Sequence, residues 1–155
     1  LNFPGGKSEL VAAATQSAGD EMTAMLREYL EQPQPVAAFI DMWCDALVST
    51  DFRSGCAIVA AACGRDDAPE AAVAAADVFA QWSDLLREAL TQDGIDGAVA
   101  ESLSTTVVAA VEGAIVLARA AQSTKPLKQV SHHLEELITL HRPTSARDRR
   151  KVERN

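Results

Sequence analysis

Apolar residues recur along this chain at three- and four-residue intervals, the spacing of one face of an α-helix rather than the alternation of a strand. From about Ser8 to Leu30, an apolar side is formed by Leu10, Val11, Ala14, Met22, Met25, Leu26 and Tyr29. Gly19 interrupts this stretch and predicts a bend. Pro33 and Pro35 end it, with Pro35 placed for the first turn of the next helix. Val36 to Ser49 carries Val36, Phe39, Ile40, Trp43 and Leu47 at helical period. The loop DFRSG then leads to a short buried helix, Cys56 to Cys63. In the break GRDDAPE, Asp66 or Asp67 is the expected N-cap, with Pro69 just inside the next helix. Pro69 to Thr91 sets Val73, Ala76, Phe79, Trp82, Leu86 and Leu90 on one side. Gln92-Asp93-Gly94 stops it, and Asp96 is placed to cap its successor.

That successor, Gly97 to Gln122, is apolar on two faces. Leu103, Val107, Ala110, Ala114 and Leu117 make one face; Val108, Val111, Ile115 and Val116 make the other. A helix apolar most of the way round has to be covered on both sides, here by the core and by a partner chain. After Ser123-Thr124-Lys125-Pro126, the last helix runs from Leu127 to His141 with Leu127, Val130, Leu134, Leu137 and Ile138 as a second apolar stripe. The pattern predicts an all-α fold of five main helices and one short one, with no internal repeat.

Composition sharpens this in three ways. A chain of 155 residues is long enough to build one core without disulfides or metals. The net charge of −8 is unevenly placed: from Arg142 onward there are six basic and two acidic residues, so the remainder holds eight basic against twenty acidic. So acidic a body repels a phosphate backbone, which argues against nucleic-acid binding by this part of the chain. The segment RPTSARDRRKVERN reads as a solvated extension or, more sharply, as a nucleic-acid-binding arm. Cys44, Cys56 and Cys63 are odd in number and sit in apolar segments, as reduced thiols of a cytoplasmic protein do. A redox sensor is the alternative, and for it Cys56, after Arg53-Ser54-Gly55, would be the reactive cysteine. The apolar runs, such as AIVAAAC, are too short to cross a bilayer, and no signal peptide or membrane partner is expected.

Candidate chemistry is sparse. GGKS, at Gly5 to Ser8, resembles the end of a phosphate loop, but Leu1 stands where the first glycine belongs and no strand precedes it. A hinge before a helix is the better reading. No Gly-x-Ser-x-Gly and no His-Glu-x-x-His occurs. His132 and His133 are adjacent and point to different sides of a helix, and although His133 and Glu136 have i, i+3 spacing, no metal site and no cofactor is expected. Glu112, within AAVEGAIVLA, is the carboxylate to single out. Its apolar neighbours predict burial, either as a satisfied acid at a helix crossing or as the polar group of a ligand pocket. Phe39, Trp43, Phe79 and Trp82 lie on two helices that can face each other. They form either plain core or the walls of a cavity for a flat apolar ligand, with Met22 and Met25 as adaptable walls.

Four segments, in order, resemble the effector domain of TetR-family regulators, in particular the LmrA/YxaF-like branch. FPGGKSEL resembles the link that follows the recognition helix, and DFRSGCAI the Gly-Cys-Pro-Ile/Val segment. VFAQWSDLLREAL resembles the helix after it, and VEGAIVLARAAQSTKPL the dimerisation segment. The resemblance spans Leu1 to His141. It implies that residues 1–6 end a DNA-binding domain whose helix-turn-helix is absent from this chain. Residues 7–141 would be the effector and dimerisation domain, and 142–155 a basic tail.

The resemblance further implies a ligand-responsive repressor, not an enzyme. By the resemblance, its effector would be small and aromatic or apolar, flavonoid-like or multidrug-type, and the regulated gene would serve efflux or catabolism. The effector would meet Met22, Met25, Phe39, Trp43, Phe79, Trp82, Val108 and Glu112. The last two helices would pair with those of a second copy, and from the apolar stripes the expected homodimer interface is Val107, Val111, Ala114, Leu117, Leu134, Leu137 and Ile138. Operator DNA would be held by the missing segment. Two departures stand out: Ala57 replaces the proline that usually follows the cysteine, and Cys63-Gly64 replaces an acidic residue. A helical dimerisation module without a ligand remains an alternative, and a small helical enzyme using Glu112 or Cys56 a remoter one.

Overall fold

The structure is a computed structural model and describes residues 6–143. These form six α-helices: α1 (Gly6–Leu30), α2 (Pro35–Ser49), α3 (Ala57–Cys63), α4 (Pro69–Gln92), α5 (Gly97–Ala121) and α6 (Lys125–His141). The fold is all-α, as the periodicity predicts. Of the expected link at 1–6 and basic tail at 142–155, residues 1–5 and 144–155 lie outside the described residues, while Gly6 begins α1 and Arg142 pairs with Asp93 at 2.8 Å.

Local chemistry explains most of the helix ends. Pro35, Pro69 and Pro126 each fall in a first turn, where the missing N–H has no intrahelical partner to lose. The Asp96 carboxylate caps α5 by accepting from the N–H groups of Ala98 at 3.0 Å and Val99 at 3.4 Å. The expectation for α4 needs correcting: its N-cap is Ala68, with no side-chain hydrogen bond. Asp66 and Asp67 belong instead to a turn in which the Gly64 carbonyl accepts from the N–H groups of Asp67 and Ala68. Helix α1 runs unbroken through Gly19, and the residue serves a close contact. A Cβ there would stand 2.3 Å from Val78 Cγ2, so the absent side chain lets α1 press directly on α4.

Two apolar clusters hold the helices together. One joins α2, α5, α6 and the C-terminal end of α4 through Ile40, Trp43, Leu47, Leu86, Leu103, Ile115, Leu127 and Leu134. The other joins α1, α3 and α4 through Leu26, Ile58, Ala75, Val78 and Trp82. Met22, Leu30, Phe39, Cys56 and Val108 pack against both, so the seam between the clusters runs past these five side chains.

The expectation about apolar runs also needs correcting. By length and composition alone, α5 could cross a membrane. Its position gives a different reason for that composition. It packs on α2, α4 and α6, and its buried residues, from Ala100 to Ala118, come from more than one face.

Candidate functional site

A narrow cavity opens at the seam, where four helices converge. From α1 come Met22, Leu26, Tyr29 and Leu30, and from the first turns of α2 come Pro35, Val36 and Phe39. Trp82 and Leu86 of α4 and Val107, Val108, Val111 and Glu112 of α5 complete the wall. The cavity holds about 550 Å³ of atom-free space, mouth included, but only about 50 Å³ of it admits the centre of a water molecule. It is therefore a slot between side chains rather than an open bowl. A neighbouring cavity shares Leu30, Pro35, Val36, Leu86 and Val107 with it.

Aromatic side chains fix the slot's shape. The Trp82 indole N–H donates to Thr23 Oγ1 at 2.9 Å, a buried bond that ties α4 to α1. Phe79 meets Trp82 edge-on, with centroids 5.4 Å apart, and Tyr29 meets Phe39 in the same manner at 5.6 Å. Glu112 is the single charged side chain on this wall. Burial pushes its carboxyl up to about 7, while the Cys56 thiol beside it acts in the opposite direction. Its Oε2 is buried with no hydrogen-bond partner.

The DFRSG loop delivers Cys56 to that carboxyl. Asp51 and Phe52 both take left-handed backbone, φ 53° and 54°, which turns the chain sharply after α2. The Thr50 hydroxyl donates to Ser54 Oγ at 2.8 Å and accepts from the Ser54 N–H at 3.2 Å. Arg119 of α5 donates to the Arg53 carbonyl at 3.2 Å, and its guanidinium lies against Gly55, where a Cβ would fall 2.5 Å from Nη1. Cys56 thus becomes the N-cap of α3, half-buried beside α5. Burial, then the nearby Glu112 charge, push its thiol up to about 12. Burial holds the Cys56 thiol in its protonated form, a poor nucleophile, and Cys63 is the exposed cysteine.

Of the eight expected ligand residues, Met22, Phe39, Trp82, Val108 and Glu112 share the slot. Met25, Trp43 and Phe79 are not on its wall. Trp43 points one turn deeper, into the α2–α5–α6 cluster, where it is 5% exposed and its indole N–H has no partner. Phe79 backs Trp82 from behind, and Met25 lies half-buried off the Met22–Leu26–Tyr29 line. That i, i+4, i+7 line was the available signal for Leu26 and Tyr29. Pro35 was legible only as a helix start.

Residues 33–133 match the C-terminal domain of LmrA/YxaF-like transcriptional regulators, a TetR-type domain. An uncharacterised HTH-type transcriptional regulator of Mycobacterium tuberculosis (strain H37Rv) is 37% identical over 152 residues, covering 94% of this chain and 78% of that protein. The HTH-type transcriptional regulator LmrA of Bacillus subtilis (strain 168) is 24% identical over 143 residues, covering 88% and 76% respectively. The chain belongs to the LmrA-like branch of TetR-type transcriptional regulators.

Within this TetR-type domain, the residues expected at the dimer interface separate into two groups. Val107, Val111, Ala114, Leu134 and Ile138 are buried inside the protomer, and Val107 and Val111 line the slot. These five are not free to meet a partner. The sequence stripe found the inward face because the same period marks both faces of a doubly apolar helix. Leu137 is half-buried, and Leu117 is 58% exposed. Of GGKS, Gly5 lies outside the described residues, whereas Ser8 stands in the first turn of α1 and its hydroxyl donates to Glu70 of α4, which holds that carboxyl below its usual range. A further correction concerns the histidines. Glu136 reaches both His132 (3.5 Å) and His133 (3.1 Å), so the three exposed side chains form a cluster despite the adjacent positions of the two rings.

Proposed function

We propose that this TetR-type chain is the sensing and dimerisation part of a ligand-responsive repressor. A small, flat, apolar effector would enter the slot between α1, α2, α4 and α5. The observation that carries this reading is an apolar slot whose one charged side chain has an unpartnered oxygen, set directly against α1. Cavities that hold small molecules have this character: apolar walls and few polar groups.

The position of α1 suggests how occupancy becomes motion. Its C-terminal half lines the slot, and Gly19 rests on Val78 near its middle. Its N-terminal half borders a wide groove against α3, lined by Lys7, Leu10, Ala14, Ala57 and Ala61. Because the slot is too narrow for a two-ring compound, an effector must push α1, α2 or both outward. A helix pivoting at Gly19 has open space for its other end. The N-terminal end of α1 leads toward the DNA-binding segment found in such regulators. Recognition helices must sit about 34–36 Å apart to meet successive major grooves, so a swing of α1 would weaken operator binding.

Dimerisation would use the outer face of α5 and α6 rather than the inner one. Ala109, Gly113, Val116, Leu117 and Ala120 are exposed at helical spacing on α5, with Leu140 exposed on α6. Small residues at such positions allow close helix approach, and the larger ones supply apolar area.

The narrowness of the slot favours a second reading, a dimerisation module without a ligand. A thermal-shift screen of flat aromatic compounds separates the two. Compounds that raise the melting temperature, and release operator DNA from the regulator carrying its helix-turn-helix, support the effector reading. No shift from any compound leaves the dimerisation module.

A further inference from the structure

We infer that the effector presents a hydrogen-bond donor, an N–H or O–H, to Glu112 at one end of an otherwise flat apolar body. This rests on the effector reading above and narrows it to a chemical class.

Glu112 Oε2 is already buried and unpaired, so any occupant of the slot decides whether it stays so. An apolar occupant would shut out water and leave the oxygen unpartnered. Above pH 7, where the carboxyl is ionised, an ether or ketone would set a second acceptor against it. Only a donor completes the ionised site, and pairing a buried acceptor is where hydrogen bonds discriminate most strongly.

No donor of the protein meets Oε2 in the structure, although the Tyr29 hydroxyl shares the wall. Cys56 supplies a thiol, a weak donor, and already interacts with the carboxyl. Tyr29 is the other titratable group on the wall. Arg119 of the same helix is engaged with the Arg53 carbonyl. The rings of Tyr29, Phe39 and Trp82 suit a flat body, and they also suit a cationic head through their faces. A protonated amine and a neutral phenol share the donor that Oε2 needs.

The test uses four two-ring probes of one outline: 2-naphthol, 2-(aminomethyl)naphthalene, 2-methoxynaphthalene and 2-methylnaphthalene. Their affinities for the full chain are measured by calorimetry at pH 8, where the Glu112 carboxyl is mostly ionised. At least one donor probe is expected to bind about tenfold or more tightly than both donorless probes. That advantage should vanish in Glu112→Leu, with circular dichroism checking that the variant is folded. Glu112→Gln then distinguishes the source: a phenol keeps part of its advantage against the amide carbonyl, whereas a cation loses it. Equal binding of all four probes, or an advantage that survives in Glu112→Leu, overturns the donor assignment while leaving the effector reading in place. No binding by any probe removes the effector reading, and this inference with it.

Discussion

A carboxyl in the middle of an apolar helix imposes a cost that depends on pH. Glu112 holds its proton to about pH 7 in the folded chain, against a reference of 4.5. Between those values the folded chain binds more protons than the unfolded one, so stability falls as pH rises through the window. The penalty is complete above pH 7 and on the order of 3 kcal/mol at most. Glu112→Gln keeps the shape and removes the charge. It should raise stability by about 2–3 kcal/mol at pH 8 and by almost nothing near pH 4, as read from urea denaturation at the two pH values. An equal gain at both would mean that the carboxyl is not the source. Retaining such a residue is understandable if its cost is offset by a ligand. The burial of Glu112 was legible in its neighbours, AAV and GAIVLA. Its thiol companion was not, because Cys56 arrives through a loop with two left-handed residues that no periodicity encodes.

At the scale of elements, α1 and α4 form the joint on which the account depends. Their contact combines the Thr23–Trp82 hydrogen bond with the close approach at Gly19, where an added Cβ would overlap Val78. Gly19→Ala should therefore destabilise the fold by about 1–3 kcal/mol despite alanine's better helix propensity. Adding Val78→Ala should recover part of that loss, a coupling that denaturation of the two single variants and the double variant measures. Strict additivity would show that the two positions do not touch in solution. Helix positions were legible from sequence to within two residues because the 3.6 period and the prolines act locally. The role of Gly19 was not legible. A glycine inside a helical pattern signals a bend and a close contact alike, and only the partner helix decides between them.

On the scale of the whole molecule, the doubly apolar α5 predicts a core helix that also meets a partner, and burial separates its two faces. Five of the seven interface positions point inward, and Leu117 marks the outer face. The proposed dimer then predicts that Leu117→Glu yields a monomer that stays helical, as sedimentation and circular dichroism would report. An unchanged dimer would move the interface elsewhere. Pocket residues were separated less cleanly than helices: Phe39 and Trp43 share a helical stripe, yet only Phe39 borders the slot. A stripe fixes direction, whereas a cavity depends on where neighbouring helices stop short of contact.

The central claim, that the slot takes an effector, is tested most directly at Trp82. In a Trp43→Phe variant, Trp82 is the sole tryptophan and stands on the wall of the slot. Titration with the two-ring donor probes should change its emission saturably, with the same dissociation constant that calorimetry gives. Heat of binding without any change at Trp82, or no binding at all by a folded chain, would contradict the claim.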